Sequence, residues 1–332
     1  MSTQLLISTS CWTDNIDAVP ECDNDQRNAL SRKALAKKAE EELRETENVR
    51  TECLRQLKVW IQQNQDVENC ITDDNFLLRF LRVKKFSIPM AQQTLLKYLN
   101  FRKRFDHIFR NLTLNDDKVN ELLTNGYIFV SPVRDSQGRR VILYDLSKFD
   151  PKRYTGTDMA RAHAITYETL LTEEENQILG VVHVADIGAI NASFVTLFTV
   201  TEFGTLIKWG EQSFPMRHKE IHLINMPQAL RYVYDFARSN ITQKLKERIS
   251  VHDGKSTASQ SIELEALPAE FGGHVPAKDM ITWWTRQVDA KAKRILATDD
   301  IRLLSDAGII RSKTARRDAE NMIGSFRKLE VD

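Results

Sequence analysis

Residues 126–146 read GYIFVSPVRDSQGRRVILYDL, and within them the periodicity of the chain changes from helical to extended. Tyr127–Val133 and Arg140–Leu146 are strand-like runs rich in β-branched and aromatic residues. Between them, Asp135-Ser136-Gln137-Gly138 is a turn sequence whose last residue tolerates positive φ, so the segment reads as a β-hairpin. Downstream the pattern predicts helix Asp158–Glu174, strand Ile178–Ile187, helix Phe194–Gly210, strand Glu220–Ile224 and helix Pro227–Arg238. Such alternation favours a mostly parallel sheet flanked by helices, an α/β fold.

Upstream of the hairpin the pattern is helical. Gln26–Asn64 contains neither Pro nor Gly and reads as one long helix, with Leu54, Leu57, Trp60 and Ile61 at helical spacing. Asp73 or Asp74 caps a second helix with Phe76, Leu77, Phe80 and Leu81 on one face and Arg79, Arg82 and Lys84 on the other. Ser87 caps a third, with Pro89 tolerated in its first turn. The chain therefore divides into a mobile tail (1–25), a helical module (26–118), an α/β domain (119–276) and a C-terminal helical extension (277–332). In that extension Trp283, Trp284, Val288 and Ile295 form a docking stripe.

The 332 residues carry 47 basic and 46 acidic side chains, a net charge of +1. That balance excludes a global electrostatic design for nucleic acid, and any anionic partner must be met by a local cluster of Lys and Arg. Cys11, Cys22, Cys53 and Cys70 show no C-x-x-C spacing, so neither disulfides nor structural zinc are expected and a reducing compartment is the default. No basic residue precedes the first apolar run and Ser2 stands where myristoylation needs Gly, so neither a signal peptide nor that anchor is expected. Ile178–Val200 is about as long as a membrane span of roughly 20 residues, but His183, Asp186 and Asn191 interrupt it. A soluble cytosolic monomer is expected.

Catalytic motifs fail on inspection. Gly254-Lys255-Ser256 resembles the end of a P-loop, yet Ile249 occupies the position where that loop needs Gly, and neither G-x-G-x-x-G nor G-x-S-x-G occurs. His218, Glu220 and His222 alternate, which on a regular strand places three metal-ligand types on one face; without a fourth ligand, zinc is a remote reading and no metal is expected.

A more specific constellation is SFPMRHKEIHLINMP at 213–227, KLKERI at 244–249 followed by VHDG at 251–254, LPAEFGG at 267–273 and DDNFLLRFLRVKKF at 73–86. Together these resemble the CRAL-TRIO (Sec14-like) family of lipid-binding and lipid-transfer proteins, nearest the branch of α-tocopherol transfer protein, cellular retinaldehyde-binding protein and the clavesins. The resemblance covers about residues 50–285. It implies an N-terminal helical bundle, then a CRAL-TRIO domain with a mostly parallel sheet and a gate helix over a hydrophobic pocket. Ala229, Leu230, Val233, Phe236 and Ala237 form the apolar stripe such a gate needs; the stripe alone favours an ordinary packed helix, and it is the resemblance that turns the reading toward a gate.

By the same resemblance, pocket positions fall on His163, Tyr167, Val181, His183, Ala185, Phe214, Met216, Ile221, Val233 and Phe236. His163 and Tyr167 share a helix face, and Val181, His183 and Ala185 share a strand face. His163, His183 or Tyr167 either hydrogen-bonds the hydroxyl or carbonyl of the ligand, or bonds a neighbour or ordered water. Lys84, Arg217, Lys219, Lys244 and Arg248 match positions that bind a phosphoinositide headgroup in the tocopherol-transfer branch. Three departures stand out: Ser239-Asn240 replaces Pro-Phe in the gate, Ala160 replaces an aromatic pocket residue, and Ala189 replaces a Gly. The resulting expectation is a non-enzymatic cytosolic carrier of one hydrophobic, tocopherol- or retinoid-like lipid with no other cofactor. It would dock transiently on phosphoinositide-bearing endosomal or plasma membranes. A clavesin-type trafficking adaptor is the alternative, and an α/β enzyme a remote one.

Overall fold

The computed structural model describes residues 30–190, 192–254 and 262–310. The mobile-tail expectation for 1–25 and the last part of the C-terminal extension, from 311 onward, lie outside the described residues. The first part of the chain forms helices α1 (Arg32–Leu43), α2 (Glu47–Gln63), α3 (Asp74–Val83), α4 (Ile88–Arg104), α5 (Asp106–Phe109) and α6 (Asp117–Thr124), with a short strand β1 (Val67–Glu68). The expected single helix over 26–64 is broken. Arg44 adopts φ 66°, Glu45 leaves the helix to meet Arg82, and Thr46 Oγ1 accepts from Val49 N at 3.3 Å to start α2. A buried ion pair and an N-cap thus overrule an unbroken helix propensity.

The α/β part follows as β2 (Ile128–Val130), β3 (Arg140–Asp145), α7 (Gly156–Leu170), α8 (Glu174–Leu179), β4 (Val181–Asp186), α9 (Ala192–Val195), α10 (Val200–Ser213), β5 (His218–Ile224), α11 (Arg231–Ser239), α12 (Gln243–Lys246) and β6 (Ile249–His252). The sheet order is β2-β3-β4-β5-β6. β2 and β3 are the antiparallel hairpin, while β3, β4, β5 and β6 run parallel. In the hairpin loop, Asp135 Oδ1 accepts from Gln137 N and Arg139 N, and Gly138 takes φ +77°. Gly180 (φ +79°) opens β4; a Cβ there would lie 2.4 Å from the carbonyl oxygen of Arg217, so only glycine lets β4 start beside the chain entering β5.

Arg79 and Arg82, expected on the polar face of α3, are buried at 3% and 0% exposure. Arg82 forks onto Glu45 at 2.7 and 2.9 Å and reaches Glu174 at 2.7 Å, while Arg79 and Arg102 meet Glu168 of α7 at 3.0 and 3.2 Å. These charges pair with carboxylates contributed largely by α7 and α8, so the bundle is bolted to the α/β part rather than solvated on its polar side. The C-terminal helix α13 (Ala277–Leu296) buries Trp284, Val288 and Ile295 and packs on α7, β2 and α6. After it the described residues leave the α-helix: a 3₁₀ turn leads to β7 (Arg302–Leu303), which pairs antiparallel with β1.

Candidate functional site

A cavity of about 830 Å³ lies between the sheet, α7, α10 and α11. The sheet contributes Tyr144, His183, Ala185, Ile221 and Leu223; α7 contributes Met159, Ala160, His163 and Tyr167; α10 contributes Phe203, Leu206 and Ile207. The helical bundle closes one end with Phe101, Ile108 and Phe109, which sequence reasoning missed because their spacing is that of ordinary core. Of the expected pocket positions, His163, Tyr167, His183, Ala185, Phe214, Ile221, Val233 and Phe236 line the cavity. Val181 and Met216 do not: they are core residues, 1% and 6% exposed, off its wall. Among the described lining residues, Glu211 is the only one with a charged side chain, and its carboxylate accepts from Thr242 N and Thr242 Oγ1.

Polar groups on the cavity wall form a continuous chain of hydrogen bonds. Tyr127 Oη pairs with His163 Nε2 at 2.9 Å, His163 Nδ1 with Tyr167 Oη at 3.5 Å, and Tyr167 Oη with Tyr144 Oη at 3.0 Å. Tyr144 Oη continues to His183 Nδ1 at 2.8 Å, and His183 Nε2 to His218 Nδ1 at 2.8 Å. Burial lowers the His163 and His218 pKa to about 4, with Arg248 adding to the effect at His218. It also drives His183 well below its ordinary value, helped by the neighbouring imidazoles. The tyrosines move the other way: burial raises Tyr144 well above its usual range and lifts Tyr167 to about 12 against the bond from Tyr144. All six rings are neutral near pH 7.

His218 joins this chain because β5 is irregular. The register passes from Val181↔His218 to Val182↔Glu220, so Lys219 is the extra residue of a bulge. His218 shares the cavity with Ile221 and Leu223, whereas Glu220 meets Arg139 at 2.6 Å and His222 meets His252 at 3.0 Å. The one-face reading of His218, Glu220 and His222 is therefore corrected, since the bulge re-aims the first of them.

Helix α11 roofs the cavity with Val233 and Phe236, after Leu230 in the preceding turn, and buries none of its own residues. It rests on α10, where a Cβ at Gly204 would lie 3.2 Å from the Phe236 ring. Its end is closed locally: Ser239 Oγ and Asn240 Nδ2 both donate to the Phe236 carbonyl, at 2.7 and 2.9 Å. Ala160 sits on the cavity wall, where its small side chain leaves volume.

The five expected basic residues converge on one surface. Lys84 is lowered by burial and by Lys97 and Lys244; Lys244 by burial and by Arg248, Lys85 and Arg217. Arg248 Nη1 donates to the His218 carbonyl, linking this surface to the cavity wall. Glu42 of α1, which the sequence did not flag, lies in the cluster and accepts from Arg217 Nη2 and Lys219 Nζ, each at 2.7 Å. Burial tends to raise the Glu42 pKa, but those two bonds and charges outweigh it and hold it at about 2. Arg217 Nη1 is buried and has no hydrogen-bond partner among the described residues.

Residues 124–273 match the CRAL/TRIO domain. Clavesin-1 of Rattus norvegicus is 31% identical over 247 residues, covering 74% of this chain and 70% of that protein. The chain belongs to the CRAL-TRIO family. Clavesin-2 of Homo sapiens is 29% identical over 247 residues, covering 74% of this chain and 76% of the relative. A solved structure, "Crystal structure of Sfh5", aligns with a TM-score of 0.46 at 11% identity, covering 85% of this chain and 99% of the other. CRAL-TRIO membership makes this a protein of a lipid-binding class. The matched segment ends at Gly273 and begins at Thr124, so the bundle side chains at the cavity's end lie outside it. No described helix is long and apolar enough to cross a membrane.

Proposed function

We propose that this CRAL-TRIO protein carries one small hydrophobic molecule in the 830 Å³ cavity and exchanges it at phosphoinositide-bearing membranes. The observation that carries the reading is the pairing of an apolar cavity with a roof helix that buries none of its residues, beside a surface where five basic side chains meet. Apolar walls contribute about 25 cal/mol for each Å² of ligand hydrocarbon removed from water. Basic residues near an anionic leaflet contribute about 1 kcal/mol each, enough in sum to hold a chain of near-neutral charge at such a surface. Phosphate oxygens compete with Glu42 for Arg217 and Lys219, and the unpartnered Nη1 of Arg217 supplies a further donor. Docking favours the state in which α11 lifts, because its apolar stripe then meets bilayer instead of water; this is a population shift driven by differential affinity.

The test is flotation of the Arg217→Glu/Arg248→Glu double variant with vesicles containing phosphatidylinositol bisphosphate. Binding by the parent chain and its loss in the variant is the expected result; equal binding rejects the basic surface as the headgroup site. A second reading, a trafficking adaptor of clavesin type, is favoured by the similarity to Clavesin-1 and Clavesin-2. Transfer of a lipid between vesicle populations separates them, since a carrier performs it and an adaptor does not.

A further inference from the structure

Helix α1 carries its charges against its own dipole. Arg32, Lys33, Lys37 and Lys38 lie toward its start and Glu40, Glu41 and Glu42 in its last turn, so cations sit at the positive end of the macrodipole and carboxylates at the negative end. An internal ion pair, Lys37 with Glu41 at 3.7 Å, is exposed and in the weaker of the two i, i+4 orders. The helix has 12 residues, and isolated helices shorter than about 12–15 residues are marginal in water. What fixes α1 is therefore tertiary. Ala39 and Leu43 are buried, and the helix packs chiefly on α8. Glu42 accepts from Arg217 Nη2 and Lys219 Nζ, each at 2.7 Å. Among the described residues, it is the only side chain of α1 that hydrogen-bonds to another element.

Those two bonds serve the helix and block the surface at once. They neutralise a carboxylate beside the C-terminal carbonyls of α1, and they occupy two of the five converging cations. Glu42 stays charged at neutral pH, because the paired cations hold its pKa at about 2 against the effect of burial. Just after it the chain turns: Arg44 takes φ 66°, and Glu45 accepts from buried Arg82 at 2.7 and 2.9 Å. The bundle from Glu45 onward thus stays anchored whether or not α1 is docked. Helix α1 also lies outside the matched family segment, 124–273. Resting on the reading of the basic surface as a phosphate site, we propose that α1 is an autoinhibitory strap. Clustered phosphates that engage Arg217 and Lys219 displace Glu42, and α1, left with charges that oppose its dipole, unfolds from α8 and uncovers the surface. The trigger chemistry is the same whether the phosphates belong to a lipid headgroup or to a free inositol phosphate.

The test is amide hydrogen exchange of the full chain at pH 7.5, read by mass spectrometry over residues 35–43 with α7 as internal reference. The probes are inositol 1,4,5-trisphosphate and vesicles with and without phosphatidylinositol bisphosphate. Binding of phosphate is expected to speed exchange over 35–43 by about tenfold or more while α7 is unchanged. Faster exchange with the soluble trisphosphate assigns the trigger to the phosphates alone; faster exchange only with the bisphosphate vesicles assigns it to the headgroup at a bilayer. Either supports the strap. Glu42→Gln is expected to give the same increase with no ligand, whereas Glu41→Gln, which removes an exposed charge from the same turn, is expected to leave α1 protected. Protection over 35–43 that persists in Glu42→Gln, or in the parent chain bound to bisphosphate vesicles, overturns the strap and leaves the phosphoinositide reading intact. Faster exchange in α7 as well as α1 on Glu42→Gln shows general loosening and also overturns it. Failure of the parent chain to bind either probe, measured by calorimetry and flotation, overturns both.

Discussion

His163 shows most simply what burial does to a single residue. Its only neighbours in the chain of bonds are two tyrosines, and desolvation alone carries its pKa from 6.5 to about 4. The folded pKa lies below the unfolded one, so the unfolded chain takes up a proton first as pH falls. The stabilisation is complete above pH 6.5 and is lost as pH drops toward 4. By pH 5, His163 alone should cost about 2 kcal/mol of stability relative to pH 7.5, visible in urea unfolding before most carboxylates titrate. A flat profile between pH 7 and 5 would contradict a neutral buried ring. Glu42 supplies the opposite kind of test: its carboxylate pairs with Arg217 and Lys219, two of the cations proposed to hold phosphate. Glu42→Gln should raise the affinity for phosphoinositide vesicles several-fold, and weaker binding would show that Glu42 organises the surface instead of competing for it. The i, i+4 spacing of His163 and Tyr167 was legible in the sequence, whereas the five basic positions came from the family resemblance. His218 was misplaced because a bulge is set by strand register, which no local residue pattern encodes, and Glu42 was missed because its role depends on a contact 175 residues away.

Among elements, α11 is the one that the carrier proposal requires to move. It buries no residue of its own and rests chiefly on α10 and the turn before it. Phe236→Ala should therefore speed release of a preloaded fluorescent lipid several-fold while leaving the urea midpoint nearly unchanged; a large stability loss with unaltered release would make α11 an ordinary structural helix. Its apolar stripe was readable, and Ser239-Asn240, which replaces the family's Pro-Phe, proves to cap the helix through the Phe236 carbonyl. The hairpin and the strand–helix alternation were readable for the same reason: periodicity and turn chemistry are local. Helix ends were read less well. The expected helix 194–210 is two pieces, and the second starts at a capping box, Thr199 with Glu202, whose signature stands in the sequence. The C-terminal extension was read as helical throughout, whereas β7 exists only because β1, more than 200 residues earlier, offers it an edge.

At the scale of the whole molecule, the bundle and the α/β part act as one container. Glu168 receives both Arg79 and Arg102 on the same helix that carries His163 and Tyr167, so the ion pairs fixing the bundle also fix the polar wall of the cavity. The bundle in turn closes the cavity's end with Phe101, Ile108 and Phe109. None of this was legible beforehand, because charged residues on an amphipathic helix ordinarily signal solvent, and only tertiary packing turns Arg79 and Arg82 inward. The central claim is that this container holds a lipid. Native mass spectrometry of the full chain, after exposure to a total lipid extract and removal of unbound material, tests it most directly. The account predicts one small lipophile per chain, retained under native conditions and recovered by organic extraction; an empty chain that takes up no lipophile would contradict it.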